Sequence, residues 1–137
     1  MILVDAGPLV ALFDPKDGQH RRCADILKTF REPLRTTIPV LTEAFYMLDP
    51  GSVGADRLRD FIAHNGLAIW FLDGHSLMRA FELMEQYRDQ AMDLADASLV
   101  AAAESLGTRK VFTIDRNDFR IYRMRHGHRR YGFDIMG

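Results

Sequence analysis

Short apolar runs alternate along this chain with longer segments in which apolar residues follow a helical repeat. The short runs have the length and composition of buried strands, and they cover residues 1–4, 36–38, 67–72 and 111–114. The longer segments place apolar residues at every third or fourth position, which predicts amphipathic helices. Strands that alternate with such helices predict βαβ crossovers and a mainly parallel sheet covered on both faces.

Residues that start or stop helical backbone mark the ends of these segments. Gly7-Pro8 is expected to interrupt the chain after the first strand, and Glu32-Pro33 to end the first amphipathic helix. Pro39 is expected to open the next helix. Gly107 is expected to close an Ala-rich helix that begins near Leu94. A further helix is predicted from an apolar stripe formed by Leu77, Ala80, Phe81, Met84 and Tyr87.

The length of 137 residues suits one hydrophobic core and is too short for two. We therefore expect a single domain over residues 1–137, of class α/β, with three layers in the order α/β/α. A C-terminal extension is expected from about residue 119. Its two alternating segments flank Gly127, a pattern typical of a hairpin.

The apolar N-terminus lacks the features of a targeting or membrane segment. It has no basic leader, Asp5 interrupts it early, and no stretch approaches the roughly 18 apolar residues of a membrane span. The single cysteine, Cys23, excludes an intramolecular disulfide bond and a thiolate metal site. These features predict an intracellular, cytoplasmic protein without a membrane anchor.

Charge is distributed unevenly along the chain. The formal net charge is −1, yet residues 107–137 contain eight arginine or lysine side chains against three aspartates. So basic a segment is either a solvated surface or a contact for a polyanion. Composition alone leaves both interpretations open.

Two predicted strands run directly into an aspartate. Asp5 follows MILV, and Asp115 follows VFTI. The carboxyl ends of parallel strands lie at one edge of a sheet, and ligand sites form there. If these two strands are neighbours, the two carboxylates meet although they are far apart in the sequence.

Three helical acids extend this set. Asp96 shares a helical face with Leu99 and Val100, where an unpaired charge would be unfavourable unless something compensates it. Asp93 is expected to cap the same helix, although direct metal binding by Asp93 stays open. Glu43 lies near the start of the helix opened by Pro39, and it gains weight only by joining the other acids.

Carboxylates gathered in one pocket repel each other unless a counter-charge is present. No lysine or arginine lies beside Asp5, Glu43 or Asp96 in the sequence, so a divalent cation is the expected counter-charge. All-oxygen ligands favour Mg²⁺ or Mn²⁺ over zinc. Carboxylate-held ions of this kind hydrolyse phosphodiesters. The sequence therefore predicts a metal-dependent nuclease whose basic segment holds the nucleic-acid backbone.

On these residues the chain resembles the PIN-domain nucleases, and most closely the VapC-type toxins of prokaryotic type II toxin–antitoxin modules. The resemblance spans nearly the whole chain, and its motifs are ILVDAGPLVALFD, TTIPVLTEAFYML, MDLADASLVAAAESLG and VFTIDRNDF. It implies a PIN-like fold with about five strands in the sheet and a Mg²⁺- or Mn²⁺-dependent endoribonuclease acting as a toxin. It also implies an RNA substrate, a homodimer and inhibition by a small antitoxin protein.

The resemblance carries the family's metal ligands over to four acids of this chain, namely Asp5, Glu43, Asp96 and Asp115. Three residues are expected to support these ligands from nearby positions, namely Asp93, Asp118 and Thr113. The candidate contacts to the RNA backbone are Arg116, Arg120 and Arg123.

At one position the chain departs from the family pattern. Many members carry a serine or threonine directly after the first aspartate, where this chain has Ala6. One alternative is therefore a catalytically degenerate PIN-like module that binds RNA without cleaving it. A second alternative keeps the enzyme but makes it a housekeeping RNA-processing nuclease or a DNA-directed nuclease.

Overall fold

The computed structural model describes residues 1–137. The strands are β1 (Ile2–Val4), β2 (Leu34–Thr36), β3 (Ala68–Ile69), β4 (Lys110–Phe112), β5 (Arg123–His126), β6 (Arg129–Gly132) and β7 (Asp134–Met136). Five of them form one sheet in the order β3-β2-β1-β4-β7, and every neighbouring pair is parallel. β5 and β6 form a separate antiparallel hairpin.

Helices flank the central sheet. They are α1 (Ala6–Phe13), α2 (His20–Leu27), α3 (Ile38–Leu48), α4 (Val53–Ala63), α5 (Gly74–Gln86), α6 (Leu94–Leu106) and α7 (Arg116–Ile121). This arrangement confirms the predicted α/β class with a parallel sheet of five strands. None of the helices combines the length and the apolar character that crossing a membrane requires.

The two central strands of the sheet are deeply buried. β1 is buried along its whole length, as are Val111 and Phe112 of β4. Thirty buried apolar residues form one connected cluster around these strands. The chain winds from β1 to β2 and β3 on one side and then returns to β4 on the other, so β1 and β4 flank the topological switch point.

The predicted interruption at Gly7-Pro8 is wrong, because both residues lie in the first turn of α1. Proline is tolerated there, since the N–H that it lacks would have no partner within the helix. Gly7 is required by packing: a Cβ at this position would lie 2.7 Å from Cγ1 of Ile114. The start of α1 is therefore in close contact with the segment that follows β4.

Two predicted element ends also shift. The strand predicted at 36–38 is β2, which ends at Thr36, because Thr37 is the N-cap of α3 and its Oγ1 accepts from the Val40 N–H at 3.5 Å. The first amphipathic helix ends at Leu27 instead of Glu32. The Thr29 hydroxyl, which donates to the Ile26 carbonyl at 2.6 Å, offers the backbone an alternative to the helix at that point.

The strand predicted at 67–72 is shorter, and the stripe predicted on α5 holds except at Phe81, in place of which Leu83 is buried. β3 covers only Ala68–Ile69. α5 buries Ala80 and Leu83 completely, whereas Phe81 is about half exposed. α5 packs on α6. The many alanines of α6 allow the two helices to approach closely.

Candidate active site

Two neighbouring strands bring two of the predicted acids to the carboxyl edge of the sheet. β1 pairs with β4 through Leu3↔Val111 and Val4↔Phe112. Asp5 follows β1 directly, and its N–H donates to the Phe112 carbonyl at 2.9 Å. The strand ends that carry Asp5 and Asp115 are therefore adjacent, as the sequence predicts.

The carboxylate of Asp5 is held by two hydrogen bonds. Its Oδ1 accepts from the Ala6 N–H at 2.8 Å, and its Oδ2 accepts from the Thr113 hydroxyl at 2.8 Å. Oγ1 of Thr113 in turn accepts from the Asp115 N–H at 3.0 Å. Although Ala6 carries no hydroxyl, the buried Thr113 supplies a hydroxyl that donates to Asp5. Thr113 also links Asp5 to the segment bearing Asp115.

The start of α6 contributes the next two acids. Asp93 is the N-cap, and its Oδ1 accepts from the Asp96 N–H at 2.8 Å. Oδ2 of Asp96 accepts from the Tyr122 hydroxyl at 2.8 Å. Tyr122 is fully buried and packs edge-to-face on Tyr87 and Phe119. A rigid aromatic residue from the C-terminal region therefore orients the Asp96 carboxyl.

Glu43 and Asp118 complete the group. Glu43 lies on α3, and after burial the negative charges of Asp93 and Asp5 raise its pKa. Asp118 lies on α7, and after burial the nearby Asp115 carboxyl raises its pKa. The predicted acids thus converge on one place, and we call them the acid cluster: Asp5, Glu43, Asp93, Asp96, Asp115 and Asp118.

The acid cluster carries negative charge that no side chain of the protein neutralises. Burial, followed by the charges of Asp5 and Asp93, raises the pKa of Asp96 to about 8. Burial and the charge of Asp93 raise the pKa of Glu43 to about 7. None of the ion pairs in the protein involves a member of the cluster.

Burial also raises the pKa of two groups at the base of the cluster. For Asp5 the hydrogen bonds from Thr113 and Ala6 oppose this effect. For Tyr122 burial acts first and the negative charge of Asp96 adds to it, so the pKa of the phenol lies well above its ordinary value. Tyr122 therefore stays protonated and remains a donor to Asp96 at any physiological pH.

The donor set fits a hard divalent cation in its chemistry. It consists of carboxylate oxygens, which Mg²⁺ and Mn²⁺ prefer, and its repulsion is of the kind that a cation relieves. In the present arrangement no group of three or more His, Cys, Asp or Glu side chains is placed so as to hold one ion. The fit is therefore one of charge and donor type.

The three arginines predicted to contact RNA are placed differently from one another. The Arg116 guanidinium donates to the Gly137 carbonyl. The Arg123 guanidinium donates to the carbonyls of Arg120, Ile121 and Tyr122 at 2.7, 3.2 and 2.9 Å. Arg120 is exposed and has no ionic partner. Two of the three guanidinium groups are thus already hydrogen-bonded to backbone carbonyls in the C-terminal region.

Sequence reasoning missed two polar contacts that fix the helices around the cluster. One is the bond from Tyr122 to Asp96. The other joins the hydroxyls of Thr37 and Ser98 at 2.6 Å and ties the start of α3 to α6. Ser98 was the one available signal, since it is a polar residue in a run of alanine, leucine and valine, two positions after Asp96.

Comparison with known proteins gives consistent relatives. The family model described as PIN domain matches residues 2–125. The protein named Ribonuclease VapC26, from Mycobacterium tuberculosis, is 25% identical over 125 residues, which are 89% of this chain and 92% of that protein. These matches confirm the resemblance to PIN-domain and VapC-type proteins.

A solved structure gives the same fold. The crystal structure of Mycobacterium tuberculosis VapC20, described as a Sarcin-Ricin loop cleaving toxin, aligns with a TM-score of 0.77 at 18% sequence identity. The alignment covers 86% of this chain and 94% of that one. At this level of identity the likeness establishes the architecture alone.

Proposed function

The chain belongs to the PIN-domain family, and on that premise we propose that it is a metal-dependent endoribonuclease that hydrolyses RNA phosphodiester bonds. The acid cluster carries the proposal, because carboxylates from separate parts of the chain meet at the switch point of the sheet without a cationic side chain. The printed names of the relatives, a ribonuclease and a Sarcin-Ricin loop cleaving toxin, support RNA as the substrate class.

Four members of the acid cluster hold the ion, which is Mg²⁺ or Mn²⁺: Asp5, Glu43, Asp96 and Asp115. When bound, such an ion activates water and stabilises the leaving oxygen of a phosphodiester. Thr113 keeps the Asp5 carboxylate aligned with the Asp115 segment, and Tyr122 keeps the Asp96 carboxyl in place. Asp93 fixes the first turn of α6, and Asp118 adds negative charge beside Asp115.

We place this activity in the cytoplasm as the toxin of a toxin–antitoxin pair, with a small antitoxin as inhibitor and a homodimer as the assembled form. Two sets of exposed apolar side chains support protein partners. One set lies on α3 and α4 and includes Tyr46, Met47 and Val53. The other lies at and before α5 and includes Phe71, Met78 and Phe81.

The activity is tested by incubating the purified chain with RNA in Mg²⁺ or Mn²⁺, with and without a chelator. We expect cleavage that the chelator stops and that the Asp5→Asn variant lacks, while its circular dichroism spectrum stays that of the wild type. Undiminished cleavage by that variant would refute the assignment. Salt-sensitive RNA binding without turnover would identify the degenerate module, and cleavage of DNA in preference to RNA would identify the DNA-directed nuclease.

The biological role is tested by induced expression in a bacterial host. Growth arrest that a small co-encoded protein relieves is the result expected of a toxin. A host that grows normally while the purified protein cleaves RNA would instead point to a housekeeping nuclease.

A further inference from the structure

The hairpin formed by β5 and β6 carries a concentrated positive charge that the acid cluster does not explain. Its cross-strand pairs place Arg125 opposite Arg130 and His126 opposite Arg129. All four side chains are exposed and none belongs to an ion pair. Like charges directly opposite each other destabilise an antiparallel pair. We call these four residues the hairpin strip.

The rest of the protein holds the hairpin firmly in spite of this repulsion. The Arg125 N–H donates to Oε2 of Glu104 at 2.7 Å. Met124 is buried in the hydrophobic core. The Arg109 guanidinium lies 5.4 Å from the centre of the Tyr131 ring. The charges are thus presented on a fixed hairpin, with Arg125 and Arg130 on one face and His126 and Arg129 on the other. This reduces the ordering that binding of a polyanion would require.

We propose that the hairpin strip, which lies against the C-terminal part of α6, binds the phosphate backbone of single-stranded RNA that extends from the acid cluster. The inference rests on the proposed function and specifies how its substrate is held. β5 packs on α6, which carries Asp96 near its start and Glu104, the partner of Arg125, near its end. These two positions are about 12 Å apart along the helix, a separation that a few nucleotides of RNA span.

The composition of the strip favours RNA over a protein partner. Between Arg123 and Arg130 the only apolar side chain is Met124, which is buried. Protein interfaces are built around apolar and aromatic anchors. The hairpin strip itself has none, and only Arg125 borders a cavity that Phe71 and Met78 line. Phosphates are bound by charge and hydrogen-bond donors alone, and the planar arginine guanidinium fits them in a two-pronged contact.

The proposal moves the expected RNA contacts within the C-terminal region from Arg116 and Arg123 to the hairpin strip. Arg116 and Arg123 donate to main-chain carbonyls, whereas Arg125 and Arg130 have no such engagement through their side chains. The match to the PIN domain ends at residue 125, so β6, with Arg129 and Arg130, lies beyond the part that the family model describes.

The test measures binding of a fluorescein-labelled single-stranded RNA of mixed sequence by anisotropy, in EDTA so that no cleavage occurs. The double variant R125Q/R130Q is compared with R21Q/R57Q, which removes two exposed, unpaired arginines from α2 and α4. We expect R125Q/R130Q to bind about tenfold more weakly near physiological salt, and its slope of log K against log salt to fall by about 1.4. The control should bind as the wild type does.

Several outcomes would overturn the proposal. One is unchanged affinity in R125Q/R130Q, and another is an equal loss in the R21Q/R57Q control. If R125Q/R130Q keeps its RNA binding but loses binding to poly-glutamate, the strip binds an acidic protein instead. Because the substitution removes repulsion, R125Q/R130Q should melt no lower than the wild type. If it does melt lower, R125K/R130K, which keeps the charge but loses the two-pronged contact, should bind RNA more tightly than R125Q/R130Q, and failure to do so counts against the strip.

The two proposals fail separately. If the wild-type protein cleaves RNA in Mg²⁺ and R125Q/R130Q binds RNA as tightly as the wild type, only the proposal for the hairpin strip is refuted. A wild-type protein that binds RNA through the strip but cleaves nothing refutes only the nuclease.

Discussion

Helix α6 carries a shielded carboxylate near each end, and the two are compensated in different ways. Near the C-terminal end of α6, Oε1 and Oε2 of Glu104 accept hydrogen bonds from the Arg79 guanidinium at 2.8 and 2.9 Å. Near its start, Asp96 has only the neutral Tyr122 hydroxyl and lies among other acids. One carboxylate therefore comes with its own cation, and the other lacks one.

The difference separates a structural carboxylate from one that the proposed function assigns to a metal ion. The Arg79–Glu104 pair neutralises itself, and that neighbourhood needs nothing further. The carboxyl groups of the acid cluster repel each other, and in the proposed function a bound cation relieves this repulsion. Substitutions at the two ends of α6 should consequently have opposite effects on activity and stability.

The largest expected effect is on activity. Asp96→Asn should lower Mg²⁺-dependent RNA cleavage by about a thousandfold, because a metal ligand contributes several kcal/mol to the transition state. Glu104→Gln should leave the activity of the folded protein within a few-fold of the wild type. Initial cleavage rates measured on protein shown by circular dichroism to be folded compare the two. Equal losses would remove the distinction between the ends of α6.

The next effect is on stability. Arg79→Met should lower the free energy of unfolding by about 2–3 kcal/mol, because it leaves Glu104 largely buried without its cation. The matched control is Arg88→Met, which breaks the exposed pair with Glu85 and should change the stability by less than about 1 kcal/mol. Urea unfolding followed by fluorescence measures both. Similar midpoints for the two variants would contradict the structural role of Arg79.

The acid cluster should make the stability of the metal-free protein depend on pH. The folded-state pKa values of Asp96 and Glu43, about 8 and about 7, lie above their ordinary values. Such groups stabilise the fold at low pH, and this contribution is lost as pH rises from about 4 through 8. The melting temperature in EDTA should fall over that range, and Mg²⁺ should restore it.

Asp96→Asn provides the matched comparison for this pH dependence. The variant should be more stable than the metal-free wild type at pH 8 by about 1–2 kcal/mol, a figure reduced for the partial exposure of Asp96. At pH 5 the two proteins should melt at similar temperatures. A variant less stable than the wild type at pH 8 would mean that Asp96 is already compensated.

The smallest effect is expected at Tyr122. Tyr122→Phe keeps the buried ring but removes the hydrogen bond that orients Asp96, so Mg²⁺ affinity should fall about tenfold with the fold intact. Titration of cleavage activity with Mg²⁺ measures this shift. Phe119→Leu, which changes the same aromatic cluster without touching a cluster hydrogen bond, is the control for packing. An unchanged Mg²⁺ requirement in Tyr122→Phe would show that Asp96 does not depend on it.

Local signals made parts of the fold predictable. The bounds of α6 follow from Asp93 as its cap and from Gly107, which has the left-handed backbone, with φ 69°, that glycine adopts without strain. The juxtaposition of Asp5 and Asp115 follows from the rule that parallel strands end at one edge. Both inferences use only residues that are close together or a general property of sheets.

Other parts depend on contacts between distant segments and could not be predicted. The sequence does not encode locally that Tyr122 points at Asp96, because this depends on how α7 and the C-terminal region pack. β7 joins the sheet beside β4, although its three residues begin with an exposed aspartate and have little of the apolar pattern of a buried strand. α1 forms in spite of Gly7-Pro8 because the two residues fall in its first turn.

The pairing of β1 with β4 has a consequence for timing. Asp5 leaves the ribosome well before its partner Thr113, which follows 108 positions later. At ordinary elongation rates this is a delay of about 5–20 seconds. A nascent chain cannot assemble the cluster during that interval, so we expect it to be harmless to its own messenger until the segment that carries Thr113 and Asp115 has been made.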